Sequence, residues 1–247
     1  MNLAIALASL ALLGGQPQEP NYFAPSLHEQ LVCAPMMLPA APLASMRVIG
    51  DNERKRRMFG TGDGIIIDAG RSLGVRTGQQ YVVRRVVNDQ FIGRTSPDQQ
   101  RVSVHTAGWV TVVEVRDNVA VAQVTHACDG IIAGDYLEPF VDPVDPPAAA
   151  QGEPDYDHAG RIVMGDERRQ MGSAGTLMVL DLGAANDVRP GQTATIFRTT
   201  VNGLGPVHQI ARATVVSVRP ESAVLRIDSS REAVYIGDRV AINRLTR

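Results

Sequence analysis

The segment I-I-D-A-G-R-S-L-G-V-R-T-G-Q, residues 66–79, returns later in the chain as V-L-D-L-G-A-A-N-D-V-R-P-G-Q, residues 179–192. Further along, I-I-A-G-D at 131–135 is matched by V-Y-I-G-D at 234–238. The first pair of segments is offset by 113 residues and the second by 103, so the first copy carries ten additional residues, within 88–107. Paired segments in the same order at nearly constant offset indicate an internal duplication.

Each copy has the pattern of a small all-β domain. Val-rich segments with alternating character, such as 109–116 and 214–219, are separated by short turns rich in Gly and Asp. Five to six short strands in each copy are best accommodated by closure into a small SH3-like or OB-like barrel, because closure removes exposed strand edges. The sequence therefore predicts two tandem β-barrels, at 47–141 and 161–247, joined by a Pro- and Asp-rich linker at 142–160.

The repeated glycines and aspartates are predicted to form structural turns. Glycine tolerates positive φ where a Cβ would clash, and an aspartate commonly caps its own turn. The turn residues expected on this basis are Asp68, Gly70, Gly78, Gly134 and Asp135 in the first copy, and Asp181, Gly183, Gly191, Gly237 and Asp238 in the second.

The pattern I-D-x-G-x-x-x-G-V-x-x-G-Q, followed by a Val-rich strand and a closing I-x-x-G-D, resembles the small β-barrel domain at the C-terminus of the flagellar assembly protein T. Similar barrels occur in tandem in bacterial envelope proteins, some of which carry LysM modules. The resemblance covers both repeats and implies a β-barrel fold and an envelope setting. The chain has neither a recognisable LysM module nor the other domains of the flagellar protein, so the resemblance does not imply a flagellar or peptidoglycan role.

The paired Asp-x-Gly segments also suggest an alternative, enzymatic function. In bilobal aspartic proteases two carboxylates share a proton and activate water. Here the corresponding residues would be Asp68 and Asp181, but Ala69 and Leu182 stand where such enzymes need Thr or Ser. Capping of the glycine turn is the favoured interpretation of both aspartates.

Composition and charge exclude several other classes. Lys and Arg total 24 against 26 Asp and Glu, so there is no basic excess to attract nucleic acid. No apolar run reaches the ~18 residues that a membrane span needs. The five histidines lack metal-ligand spacing, and neither a P-loop nor G-x-G-x-x-G is present. No metal, cofactor or nucleic acid is therefore expected.

The N-terminus is predicted to direct export. Residues 3–13 form an apolar run of the length of a signal-peptide core, which favours a signal peptide at 1–15. A buried N-terminal helix is the alternative, although the run is apolar on every face. The following segment, 16–46, is predicted to be an irregular arm.

The two cysteines, Cys33 and Cys128, are far apart and form no C-x-x-C motif. In an exported protein such a pair is most simply one disulfide, which would join the arm to the first domain. Two buried free thiols are the alternative. A third interpretation, a Cys128 nucleophile with His126 as its base, requires a free thiol and geometry that residues two apart on a strand rarely provide.

These observations predict a non-catalytic, exported protein of the periplasm or cell envelope that acts as a binding or assembly module. Its loops, above all the long one within 88–107, would contact a protein or an envelope glycan, and strand addition could support self-association. A structural subunit of a larger envelope or surface complex is the alternative. An aspartic-type hydrolase is a further one.

Overall fold

The protein is described by a computed structural model that covers residues 26–51, 56–87, 101–148, 152–165, 169–200 and 205–244. The predicted signal segment 1–15 and most of the long loop, 88–100, lie outside the described residues. Within the described ranges, no helix is long and apolar enough to cross a membrane.

The fold is all-β, with one short α-helix in the arm. The helix is α1, Leu27–Cys33. The described strands, in chain order, are β1 Met36–Leu38, β2 Val48–Gly50, β3 Gly64–Ile67, β4 Gln80–Val87, β5 Val102–Val115, β6 Ala120–Ala127, β7 Tyr136–Pro139, β8 Glu153–Pro154, β9 Gly160–Gly165, β10 Met171–Gly172, β11 Leu177–Leu180, β12 Thr193–Thr199, β13 Val207–Val218, β14 Ala223–Ser230, β15 Val234–Tyr235 and β16 Arg239–Arg244.

The predicted pair of small barrels is confirmed. In barrel 1 the strands follow the antiparallel order β2-β3-β6-β5-β4-β7, and a bridge between Arg47 and Tyr136 joins the two ends of the sheet. In barrel 2 the corresponding order is β9-β11-β14-β13-β12-β16, and β16 pairs with both β12 and β9 to close the ring. The two barrels therefore have the same strand order.

Each barrel has its own hydrophobic core, built from alternate residues of its strands. Ala120, Ala122 and Val124 of β6 face inward in barrel 1, whereas Ala213 and Val215 of β13 do so in barrel 2. Period-2 alternation places every second side chain on the same face of a strand. Burial of these aliphatic residues is the main force that holds each barrel closed.

Four of the predicted turn glycines adopt the left-handed backbone. Gly78 and Gly191 both have φ of +84°, and Gly134 and Gly237 have φ of +94° and +98°. A side chain at these positions would strain the turn, since residues with a Cβ rarely adopt this conformation.

The other predicted pair, Gly70 and Gly183, has a different role. Both have φ of −139°, so the expected positive φ is wrong for this pair. A Cβ at Gly70 would lie 2.3 Å from the carbonyl oxygen of Arg116, and one at Gly183 would lie 2.3 Å from that of Arg219. Glycine is needed here because two backbone segments approach too closely for any side chain.

The arm was expected to be irregular over 16–46, but its described part contains α1 and β1. A capping box between Ser26 and Glu29 begins the helix. Strand β1 pairs antiparallel with β5, with Met36 opposite Val104. Local sequence gave little sign of this order, because β1 is only three residues long and its partner is remote in the chain.

The arm packs between the barrels. Met36 contacts Val104 and Tyr136 of barrel 1, while the neighbouring Met37 packs on barrel 2, against Val163 and other residues. Their side chains alternate across β1, so one short strand presents one methionine to each barrel. Leu31 of α1 and Ala34, which directly follows the helix, pack against a second patch of barrel 2.

Candidate functional site

An identical ion pair fixes the Gly-Asp turn of each barrel. The Nε and Nη2 atoms of Arg85 donate to the two carboxylate oxygens of Asp135, each at 2.7 Å. Arg198 forms the same bidentate pair with Asp238, with both hydrogen bonds at 2.7 Å. The hydrogen bonds that each guanidinium donates to its aspartate are the main reason that the pKa of Arg85 and of Arg198 lies above its usual value.

These ion pairs are structural, because every strong acceptor in them is used within the turn. Asp135 also accepts a hydrogen bond from the backbone N–H of Ile132, at 2.9 Å, and Arg85 donates to the carbonyl of Gly130, at 2.8 Å. Barrel 2 repeats both contacts through Tyr235 and Ala233. Sequence analysis identified the aspartates but missed the arginines.

A usable signal for the arginines was present in the repeat. Arg85 and Arg198 are separated by 113 residues, the offset that aligns the first half of the two copies. Both copies keep an arginine directly after a pair of residues with large apolar or partly apolar side chains, Val83-Arg84 in one copy and Ile196-Phe197 in the other. A repeated cation so close to core positions calls for an acidic partner.

The two aspartates of the Asp-x-Gly segments hold the first strand of their own barrel. Asp68 accepts a hydrogen bond from the backbone N–H of Arg47, and Asp181 accepts one from Arg161 at 2.6 Å. This corrects the expectation that each carboxylate caps its own glycine turn. Burial raises the pKa of Asp181, an effect that the Arg161 amide and the nearby Arg101 partly oppose. Each carboxylate thus fastens one strand, a role that needs no second carboxylate.

Cys33, at the end of α1, and Cys128, just after β6, form a disulfide with Cα atoms 5.6 Å apart. His126 lies beside it, stacked on Trp109 with ring centroids 4.5 Å apart and with Nδ1 3.7 Å from a carboxylate oxygen of Glu29. The sulfur atoms and an imidazole nitrogen lie within 4.8 Å of one another. Both sulfurs are bonded to each other, so the group is a crosslink between arm and barrel 1 and offers a metal one imidazole donor.

A polar cleft of about 540 Å³ lies on barrel 2, between β8 and the strands β12, β13, β14 and β16. Most of its lining residues carry hydroxyl, amide or charged groups, and Gly152, Pro154, Ala194 and Ala213 complete the wall. The polar lining residues are Glu153, Thr193, Thr195, Gln209, Arg212, Asp228, Ser229 and Asn243.

Hydrogen bonds hold one end of this cleft in place. The amide of Asn243 donates to Thr193 Oγ1 at 2.8 Å and accepts from Thr195 Oγ1 at 3.2 Å. On the opposite side, the hydroxyl of Thr214 donates to Asp228 at 2.6 Å. The cleft is therefore a set of fixed donors and acceptors on rigid strands.

The middle of the cleft is more open. Arg212 is exposed in the middle of β13 and presents its guanidinium to solvent. Gln209 donates to the hydroxyl of Tyr156 at 2.8 Å at the border. Sequence analysis did not identify these residues, because outward polar residues that alternate with core residues occur on every half-buried strand.

The long loop within 88–107, which was expected to carry recognition, is only partly described. Residues 102–107 belong to β5, where they pair with β4 and β1. The hairpin in barrel 1 is longer than that of barrel 2, in which β12 and β13 are joined between Thr199 and Val207.

The chain was compared with models of known protein families and with curated proteins, and neither comparison gave a match.

Proposed function

We propose that the protein is a non-catalytic, exported module of the bacterial cell envelope that binds a glycan in the polar cleft of barrel 2. The duplicated barrel and its resemblance to tandem barrels of envelope proteins support the setting. The observation that supports a binding role is the cleft itself. It has a volume of about 540 Å³ and presents hydroxyl, amide and charged groups on rigid strands.

The chemistry of the cleft suits a hydroxyl-rich ligand. Sugar hydroxyls both donate and accept hydrogen bonds, and Thr195, Gln209 and Asn243 offer both functions. Arg212 and Asp228 add a donor and an acceptor that carry charge, and such hydrogen bonds are roughly twice as strong as neutral ones. A mainly apolar ligand would displace water from the exposed Arg212 without offering its N–H donors an acceptor, which is costly.

The test is a binding measurement with soluble envelope oligosaccharides, including muropeptides and O-chain fragments, by titration calorimetry or NMR on the disulfide-bonded protein. We expect at least one to bind with Kd below about 1 mM. The Arg212→Gln variant should weaken that binding about tenfold, because it removes a charge-assisted hydrogen bond.

Arg189→Gln is the matched control, since Arg189 is an exposed arginine of the same barrel outside the cleft. It should bind as the unmodified protein does. Absence of binding across the panel, or equal weakening by both variants, would contradict glycan recognition at this cleft.

Two other functions predict different results. If the protein is a structural subunit of a larger complex, it should elute from size-exclusion chromatography of native envelope extract at an apparent mass well above the 26.5 kDa of the chain. An aspartic-type hydrolase would have a pepstatin-sensitive activity that both Asp68→Asn and Asp181→Asn abolish. We expect neither result.

Export is tested at the N-terminus. Disulfides form in oxidising compartments, and the Cys33–Cys128 bond supports an exported location. Mass spectrometry of the protein from the envelope fraction should find a chain that starts after the apolar run 3–13. An intact Met1 in that fraction would contradict cleavage of a signal peptide.

A further inference from the structure

Arg101 is a nearly buried cation at the junction of the arm and the two barrels. It immediately precedes β5, and its side chain is only 9 % exposed. Its guanidinium reaches Glu221 of barrel 2 at 3.5 Å and the sulfur of Met37 in the arm at 3.9 Å. Both contacts are long for hydrogen bonds of a charged group. Among the described residues, its buried Nε atom has no hydrogen-bond partner.

Buried polar groups in folded proteins nearly always have partners, and a guanidinium offers five N–H donors. Within the described part of the chain, the two long contacts of Arg101 leave most of that capacity unused. A nearly buried cation with unused donors is suited to bind an anion, because an anionic acceptor would offset the free-energy cost of removing the guanidinium from water.

Arg101 lines a pocket of about 120 Å³ between the barrels. One wall is apolar and consists of Met37, Leu38 and Pro39 of the arm together with Pro220 of the β13–β14 turn. The charged residues of the lining are Arg101, Arg219 and Glu221. Two arginines against one glutamate give the lining itself a net positive charge. Asp181 lies outside the lining but close enough to Arg101 to interact with its charge.

The size of the pocket limits its occupant. An apolar cavity of about 150 Å³ accommodates benzene, so benzene is the upper limit for an apolar group in a pocket of about 120 Å³. A bare inorganic anion would leave the apolar wall without contact, and a neutral hydrocarbon would leave the Arg101 donors unused. The two halves of the lining together select an anion with a compact apolar body.

We propose that this interbarrel pocket binds a carboxylate that carries a compact apolar group no larger than benzene. The carboxylate pairs with Arg101 and Arg219, and the apolar group lies against Met37, Leu38 and Pro220. The C-terminal residue of a polypeptide and a free small acid share this chemistry. The site is distinct from the polar cleft of barrel 2 and does not depend on glycan binding there.

The experiment titrates the full, disulfide-bonded protein with benzoate and with N-acetyl-leucine, and follows the arginine Nε–Hε signals by NMR. The neutral analogues benzamide and N-acetyl-leucinamide are the matched ligands. We expect the carboxylates to shift the Arg101 signal and to bind at least about tenfold more tightly than the amides, since they form charge-assisted hydrogen bonds. Tighter binding of N-acetyl-leucine identifies a polypeptide C-terminus as the source, and tighter binding of benzoate identifies a small acid.

Two substitutions separate a receptor from a merely structural ion pair. Arg101→Gln removes the cation and should weaken benzoate binding about tenfold or more. Glu221→Gln breaks the same ion pair but leaves Arg101 in place and removes the competing negative charge, so it should tighten binding.

If the ion pair mattered only for the shape of the pocket, both variants would weaken binding. That result, or equal binding of acids and amides, would overturn the proposal. Arg189→Gln, on an exposed turn of barrel 2, should leave carboxylate binding unchanged.

Discussion

The Arg85–Asp135 pair has a strong effect on stability because its aspartate is almost completely enclosed. The Asp135 side chain is 2 % exposed and that of Arg85 is 21 % exposed. Water therefore solvates the remaining charge poorly when either partner is removed. Removal of one member of such a pair leaves a charge poorly solvated. It also leaves the backbone N–H of Ile132 without its acceptor.

We therefore expect Asp135→Ala to lower the free energy of unfolding by about 2–4 kcal/mol. Urea unfolding followed by circular dichroism measures this change. The control is Arg71→Gln, which breaks a pair with Asp117 whose side chains are 69 % and 82 % exposed. Exposed pairs contribute about 0–1 kcal/mol, so a similar loss in both variants would contradict the role given to burial.

Asp181 provides a pH-dependent prediction. Burial raises its pKa in the folded protein, against the opposing influence of Arg161 and Arg101. The folded state then binds more protons than the unfolded state between the two pKa values, so stability falls as the pH rises through that interval. The penalty is complete above the folded-state pKa and absent below the unfolded-state value of about 3.9.

Asp181→Asn removes this penalty while its amide oxygen can still accept the Arg161 N–H. The variant should gain stability relative to the unmodified protein as the pH rises from 3 to 7, as measured by thermal unfolding across that range. Asp68→Asn, at the equivalent but exposed position, is the control for the substitution itself. A difference between Asp181→Asn and the unmodified protein that does not change with pH would contradict the prediction.

Turn residues were predictable from sequence where the need for a particular residue type arises from the local backbone conformation. A glycine such as Gly78 next to Gln in a short turn signals positive φ through turn chemistry alone. The need for glycine at Gly70 arises from the backbone of Arg116, more than 40 residues later. The Arg85–Asp135 pair likewise joins residues 50 positions apart. Contacts of this kind depend on the closed barrel and were not visible in the local pattern.

At the scale of elements, the core strands were predictable and the hairpin extension was not. The strand around Trp109 was expected to begin there, but β5 begins at Val102. The added segment contains Ser103 and His105, which are polar yet buried. They are covered because β1 and β4 flank this part of β5. A strand whose burial comes from a remote arm does not show the alternation by which strands are recognised.

The disulfide should stabilise the arm and barrel 1 together. It joins Cys33 and Cys128 across 95 residues, and on the chain-entropy model a loop of that length corresponds to about 4.7 kcal/mol. The Cys33→Ser/Cys128→Ser variant should lose stability of that order in urea unfolding. A reductant should destabilise the unmodified protein to the same extent and leave the variant unchanged. A loss below about 1 kcal/mol would contradict the expectation that the disulfide stabilises the protein by restricting the unfolded chain.

At the scale of the whole molecule, the arm determines whether two barrels behave as one body. A disulfide and the pairing of β1 with β5 attach the arm to barrel 1. Its attachment to barrel 2 consists instead of side-chain packing by Met37, Leu31 and Ala34. The Arg101–Glu221 contact joins barrel 1 directly to barrel 2. The second attachment is therefore the weaker one, and the pocket between the barrels exists only while it holds.

Met37→Asp tests this arrangement directly. Met37 is 4 % exposed and packs against Val163, Met164 and Val179 of barrel 2. A carboxylate there would lose its hydration without a partner, a cost of at least about 3 kcal/mol. The less costly response is for barrel 2 to separate from the arm, while the disulfide keeps the arm on barrel 1.

Calorimetry of the Met37→Asp variant should then show two unfolding transitions in place of one, and the amides of β9 should exchange hydrogen faster. Met171→Asp, at an exposed methionine of barrel 2, is the matched control and should unfold as the unmodified protein does. The Met37→Asp variant should also lose carboxylate binding between the barrels and keep glycan binding on barrel 2, because only the first site needs both barrels. A single unchanged transition would show that the barrels are coupled by contacts other than the arm.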